Sequence, residues 1–240
     1  MNKKKIILTI PVYNGEKYIE NTISDLNSFF NENILLKVIF VDDGSVDKTK
    51  DRLIEMKEKN IFDFYSYKKN KGKAEAIKYA FEKIKDSDFD YFIFTDIELP
   101  YGLDFLNNIF DFENYDLIAG NRNIKKIKQY NFYRKIMSKV FRFFLPKKIK
   151  NFTDTQCGLK IFNKKSANFI LNKLKTKRWV FDLEIFLIAS KNNFKILELP
   201  VIIKEKCLKN KGGVSFFKHS FFILKDLFVI HYYNKRKKYE

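Results

Sequence analysis

The chain has 240 residues, 45% of them hydrophobic with 27 Phe and 13 Tyr, enough for one large core and suited to one α/β domain rather than two. Eight Gly and four Pro are too few for long linkers or a low-complexity protein, and 47 basic against 29 acidic residues leave a charge of +18. That excess calls for a polyanion, be it nucleic acid, an anionic membrane or a phosphorylated substrate, although Lys at every exposed position would also produce it. Cys157 and Cys207 are the only cysteines and His219 and His231 the only histidines. This argues against a disulfide scaffold, a structural zinc site and histidine-based chemistry, and a reducing cytoplasmic setting is expected.

In chain order, the basic start and the apolar run at 6–10 are too short for a signal-peptide core and run directly into Pro11. Strands are expected at 6–10, 38–41, 63–67, 91–95 and 116–119. Helices are expected between them at 16–30, 46–59 and 72–85, the last with Ala76, Ile77, Ala80, Phe81 and Ile84 on one face. Strand and helix in alternation predict a mostly parallel sheet covered on both sides. In such sheets ligands bind at the carboxyl edge, where Tyr13-Asn14, Asp42-Asp43 and Asp96 fall.

The second half carries two amphipathic patterns. Residues 130–145 set Phe132, Ile136, Val140, Phe143 and Phe144 against Arg134, Lys135, Lys139 and Arg142. Residues 215–233 set Phe217, Phe221, Leu224 and Phe228 against Lys218, Lys225 and Asp226. Each is either an interfacial helix on an anionic membrane or an ordinary helix packed on the sheet. No stretch reaches the roughly 18 apolar residues of a spanning helix, so the expected membrane association is peripheral.

Four segments carry chemistry. Asp42-Asp43-Gly44-Ser45 closes a strand and opens a helix, and serves either as a helix cap or as an acceptor for base and ribose donors. Asn70-Lys71-Gly72-Lys73 precedes a helix and suits a diphosphate, without the spacing of a P-loop. Asp96-Ile97-Glu98 offers two carboxylates past an apolar strand, either a polar turn before Pro100 or oxygen ligands for Mg²⁺ or Mn²⁺. Lys204, Lys206, Lys209 and Lys211 precede Gly212-Gly213, so that Lys209 and Lys211 are candidates for a mobile phosphate clamp as well as for a solvated loop.

Together with Ile10-Pro11-Val12-Tyr13-Asn14, these segments resemble the nucleotide-sugar half of inverting GT-A glycosyltransferases of the family 2 type. Gly120-Asn121-Arg122, Asp154-Thr155-Gln156-Cys157-Gly158 and Arg178-Trp179-Val180-Phe181-Asp182-Leu183-Glu184 narrow the resemblance. They are similar to the dolichyl-phosphate glucosyltransferase and mannosyltransferase group, nearer the glucosyl branch.

The resemblance implies a GT-A fold with a donor half at 1–122 and an acceptor and membrane-interface half at 123–240. It implies that Pro11, Tyr13, Asn14, Asp42 and Asp43 bind the donor around base and ribose, and that Lys73 approaches the nucleotide. Asp96 and Glu98 would hold the metal, Arg122 would face a phosphate, and Asp154, Gln156 and Asp182 would line the acceptor side. Glu98 stands where the family usually has a second aspartate, and Ala74 where a glycine is common.

The implied reaction is inverting, metal-dependent transfer of a hexose, UDP-glucose favoured and GDP-mannose possible, to a polyprenyl phosphate. That acceptor is already an anion at pH 7 and needs no histidine base. The alternative is a saccharide acceptor with Asp154, Asp182 or Glu184 as base. More distant are a silent nucleotide-sugar binder and a nucleic-acid-binding protein, the latter opposed by the acidic strand ends.

Overall fold

The computed structural model describes residues 3–60, 62–122, 149–178, 180–209 and 216–239, with the side chains of 209 and 216–221 left aside. Its centre is a seven-stranded sheet in the order β3-β2-β1-β4-β6-β5-β7. The strands are β1 (Lys4–Val12), β2 (Ile34–Asp42), β3 (Asp63–Ser66), β4 (Tyr91–Phe94), β5 (Leu117–Asn121), β6 (Lys160–Asn163) and β7 (Ile196–Pro200). β1 pairs in parallel with β2 and β4, β2 with β3, and β5 with β7. β6 alone is antiparallel, lying between β4 and β5. The mostly parallel sheet expected from the alternating pattern is present.

The helices are α1 (Ile19–Ser28), α2 (Thr49–Lys57), α3 (Lys73–Ile84), α4 (Lys164–Lys173), α5 (Phe181–Lys191), the short α6 (Glu205–Lys209) and α7 (Phe216–Lys235). The first expected helix begins as a single 3₁₀ turn at Glu16–Tyr18, and the second starts three residues later than its pattern suggested. β1 shows why both faces are covered. Ile6, Leu8, Ile10 and Val12 enter one core with Ile19 and Ile23 of α1 and Leu53 of α2, whereas Ile7 enters the other with Ala76, Ala80 and Phe81 of α3. Side chains of a strand alternate between faces, so a strand apolar on both needs helices on both.

α5 is buried around most of its circumference, from Phe181 to Ala189. Helix α7 helps to cover it: Ile223 and Ile230 are buried, and Leu227 and Tyr233 pack against the same core. Leu224 and Phe228, which the amphipathic pattern put on one face, do share a face, and it is exposed at 48% and 74%. Phe222 and Tyr232 are exposed as well. The helix is therefore apolar on two sides, one docked and one open. Among the described residues no helix is long and apolar enough to cross a membrane. The helix expected at 130–145 lies outside the described residues.

Candidate active site

Because β1, β2, β4 and β5 run the same way, their carboxyl ends meet at one edge of the sheet. β6 runs the opposite way, so its lead-in, Asp154 to Leu159, arrives at that same edge. Asp182, in the first turn of α5, joins through an ion pair to Lys160 at the start of β6. The fold thus gathers the motif residues from both halves of the chain.

At the end of β2 Asp42 and Asp43 are buried at 1% and 3% exposure. Asp42 accepts from the backbone N–H of Ser45 at 2.9 Å and from Ser66 Oγ at 3.1 Å. Asp43 accepts from Tyr67 Oη (2.7 Å), Lys71 N (2.7 Å), Gly72 N (2.9 Å) and Asn70 Nδ2 (3.0 Å). Four donor groups occupy that carboxylate, so it fixes the turn before α3. Burial first, then the neighbouring carboxylate, pushes the Tyr67 phenol far up, leaving it a hydrogen-bond donor.

Gly44 has φ of 71°, and a Cβ there would stand 2.6 Å from Asn70 N; only glycine allows the two loops to meet. Tyr13 is half exposed, and Asn14, at φ of 51°, accepts from Val46 N and donates its own N–H to Ser45 Oγ. Pro11 pairs with Val41 within the sheet.

Lys73, at the start of α3, lies 2.5 Å from Asp96 Oδ1. Burial opposes its charge, but Asp96 and Asp182 outweigh burial and hold the ammonium above its ordinary value. Ala74 is fully buried and donates its N–H to Lys177 O at 3.1 Å, so the tight helix start accommodates it. The Asp96 carboxylate is 42% exposed and rests against Gly158. Glu98 engages other neighbours, accepting from the Tyr18 phenol within the field of Lys17. Among the described residues no group of three or more His, Cys, Asp or Glu converges as a metal site. Asp96, half-open at the strand end next to Lys73, and Glu98 two residues on are the hard oxygen donors of this segment. Carboxylates are the ligand type that Mg²⁺ and Mn²⁺ take.

Past the end of β5 Arg122 closes on Asp154 through Nε to Oδ2 (2.7 Å) and Nη2 to Oδ1 (2.8 Å), and its own N–H adds a third bond. Burial raises the Asp154 carboxyl, but the Arg122 hydrogen bonds and charge overcome that and hold it below the usual carboxylate range. Gln156 is half-buried, and its Nε2 is buried with no hydrogen-bond partner among the described residues. A buried donor left over in this way suits a ligand atom. Asp182 accepts from Lys160 Nζ at 3.0 Å. Glu184 is fully buried and takes Lys175 N, Thr176 N, Thr176 Oγ1 and Tyr239 Oη. Lys209 falls in α6 with its side chain outside the described residues, and Lys211 lies wholly outside them. Lys204 and Lys206, from the same basic run, pair with Asp25 of α1.

Sequence reasoning missed Lys160 and Tyr101. Lys160 is 0% exposed in the middle of the sheet, and the Tyr101 Oη accepts from Gly158 N at 3.3 Å beside Asp96 and Cys157. The signal for Lys160 was available, as one cation inside the run Leu159-Lys160-Ile161-Phe162. Nothing in the sequence singles out Tyr101.

Residues 8–171 match the family described as Glycosyl transferase family 2. A dolichyl-phosphate beta-glucosyltransferase of Homo sapiens is 31% identical over 221 residues, 82% of this chain and 67% of that one. A second, from Dictyostelium discoideum, is 29% identical over 212 residues, 80% of this chain and 64% of its own length. The chain therefore spans about two thirds of the length of these relatives. Among solved structures, glucosyl-3-phosphoglycerate synthase from Mycobacterium tuberculosis with uridine diphosphate superposes with a TM-score of 0.70 at 14% identity, covering 95% of this chain and 80% of that one. That enzyme is also solved with Mn²⁺ and UDP-glucose. The likeness extends the expected GT-A architecture to nearly the whole chain. With the family matched over more than half its length and a relative above 30% identity, the chain belongs to glycosyl transferase family 2.

Proposed function

We propose that the chain moves a hexose from a nucleotide sugar, UDP-glucose first and GDP-mannose second, to a polyprenyl phosphate with inversion at the anomeric carbon. The observation that carries this reading is the state of the acceptor-side carboxylates. Asp154 is held by Arg122, Asp182 by Lys160, and Glu184 by four donors. A saccharide hydroxyl requires a base to take its proton, and each of these groups is committed elsewhere. A phosphate monoester arrives already ionised, so the protein needs to position it and to stabilise the leaving diphosphate.

Pro11, Tyr13, Asn14 and Asp42 border the donor's base and ribose, with Asp43 shaping the turn that presents Lys73. Asp96 and Glu98 would hold Mg²⁺ or Mn²⁺, which supplies charge neutralisation to the departing diphosphate. Gln156 offers its free amide to the acceptor side, and Arg122 lends charge there. Residues 1–122 serve the donor and 123–240 the acceptor. The names of the relatives, dolichyl-phosphate beta-glucosyltransferases, agree with a glucosyl group and a polyprenyl-phosphate acceptor. The open face of α7, with Leu224, Phe228 and Tyr232 beside Lys225, Lys235 and Arg236, supports peripheral docking on an anionic membrane.

The test is a transfer assay with purified protein, Mg²⁺ or Mn²⁺, a short polyprenyl phosphate or a saccharide, and a panel of nucleotide sugars, read by mass spectrometry. The expected product is a metal-dependent lipid-linked hexose of inverted configuration, lost in Asp96→Ala. Transfer to the saccharide alone would overturn the acceptor assignment.

A further inference from the structure

Lys160 starts a central strand, paired with Phe94 of β4 and Ala119 of β5, and its side chain is 0% exposed. An ammonium taken wholly out of water is costly unless its protons are satisfied. Here they meet the Cys157 carbonyl at 2.5 Å, Asp182 Oδ1 at 3.0 Å and the face of Phe186, 5.6 Å from the ring centre. A buried ion pair that only fills space is readily replaced by apolar residues of the same shape. What distinguishes this one is where its partners lead.

The Cys157 carbonyl belongs to the peptide that joins Gly158. Gly158 in turn is the surface on which Asp96 rests, and its N–H reaches Tyr101. The other partner, Asp182, lies within the field of Lys73, the cation bound to Asp96. The charge of Lys160 is also felt by Asp154, the partner of Arg122, and by the Cys157 thiol. Three ion pairs, Arg122 with Asp154, Lys160 with Asp182 and Lys73 with Asp96, thus lie along the same edge of the sheet.

We propose that Lys160 is a positioning residue of the transfer site: one buried ammonium fixes both the Cys157–Gly158 peptide behind Asp96 and the Asp182 carboxylate. It touches no substrate and acts through these two groups. The inference deepens the transferase reading and rests on it for the transfer step, while its binding consequence stands without an acceptor.

The test compares Lys160→Gln, which keeps a donor and loses the charge, with Lys160→Arg, which keeps the charge. Binding of uridine diphosphate is titrated with and without Mn²⁺, and turnover is expressed per nucleotide-binding site. For a residue acting behind the ligands, the glutamine variant should lose about ten- to a hundredfold of the Mn²⁺-dependent tightening and of turnover per site. Its metal-free nucleotide affinity should stay at the wild-type value, and arginine should restore much of the loss. A merely structural lysine would lower the number of binding sites and leave each surviving site with full tightening and full turnover, which would overturn the proposal. Should Lys160→Gln fail to fold, Lys160→Met combined with Asp182→Asn removes both charges, and the same Mn²⁺ titration decides by the same criterion. If wild-type protein binds the nucleotide with Mn²⁺ but transfers nothing to a polyprenyl phosphate, the transferase reading fails, and the tightening still decides for or against Lys160.

Discussion

Gly158 and Asp96 are in such close contact that a Cβ on Gly158 would stand 2.1 Å from Asp96 Oδ2. No side chain of any size fits there without moving the carboxylate or the strand lead-in. Gly158→Ala should therefore fold, yet lose about tenfold or more of its Mn²⁺-dependent affinity for a nucleoside diphosphate, as expected when a ligand's support is shifted. Calorimetric titration with and without the metal checks this; equal tightening in both proteins would refute it.

Arg122 and Asp154 offer a test through the size of a pH effect. In the wild type the Asp154 carboxyl is held low, so the pair's stabilisation is complete above the unfolded value of about 3.9 and fades as pH falls through the folded one. In Arg122→Ala the guanidinium bonds and charge are lost and burial is opposed only by the residue-122 N–H and the Lys160 charge, so the carboxyl should rise and less stability should be gained as pH climbs from about 4 to 7. The deficit at pH 7 should be on the order of 3–5 kcal/mol, the usual cost of stranding a buried charge. Urea midpoints across that range, for both proteins, give the answer.

Asp226 in α7 carries the opposite linkage in the native protein. Burial, and then the negative charge of Glu184, push its carboxyl up to about 6, and its Oδ2 has no hydrogen-bond partner among the described residues. The folded state therefore holds a proton that the unfolded chain has released, and stability declines as pH climbs from 4 through 6. Asp226→Asn should raise the melting temperature at pH 7.5, by a few degrees for a gain of about 1 kcal/mol, and leave it nearly unchanged at pH 4. A melting temperature that shifts equally at both pH values would exclude this origin.

The open face of α7 gives a further expectation. Replacing Leu224, Phe228 and Tyr232 together by Ser should weaken flotation with anionic vesicles at least several-fold at low salt, because each exposed apolar side chain stands to bury area in the lipid. The melting temperature should hold, since Ile223 and Ile230 make the docked face. Undiminished flotation would assign lipid binding, if any, to another surface.

Much of the sheet edge was legible in the sequence because two signals coincided there. The runs at 6–10, 38–41 and 91–95 have the apolar character of strands buried on both faces, and each ends on a residue such as Asn14, Asp43 or Asp96 that is costly to bury. β6 and β7 were missed because the first begins on a lysine and ends on an asparagine, and the second carries Glu198 and ends on Pro200. The occupation of Asp43 was equally hidden. Its donors, Tyr67, Asn70, Lys71 and Gly72, come from 24 to 29 residues downstream, and only the parallel pairing of β2 with β3 brings them alongside. The docked face of α7 escaped notice for another reason: apolar residues surround that helix, so periodicity fitted more than one register.

The single antiparallel strand also sets the order in which this protein can be assembled. β4 and β5 are synthesised first, and the gap between them stays open until residues 160–163 arrive to fill it. Until then β4 presents a bare row of amide and carbonyl groups along Tyr91–Phe94, a template for pairing with another chain. Insertion of β6 seals that edge, and the same movement carries Lys160 inward and Gly158 up to Asp96. Joining the two parts of the sheet and completing the edge around Asp96 are therefore one step, and a chain halted before it would lack that edge and be prone to aggregate.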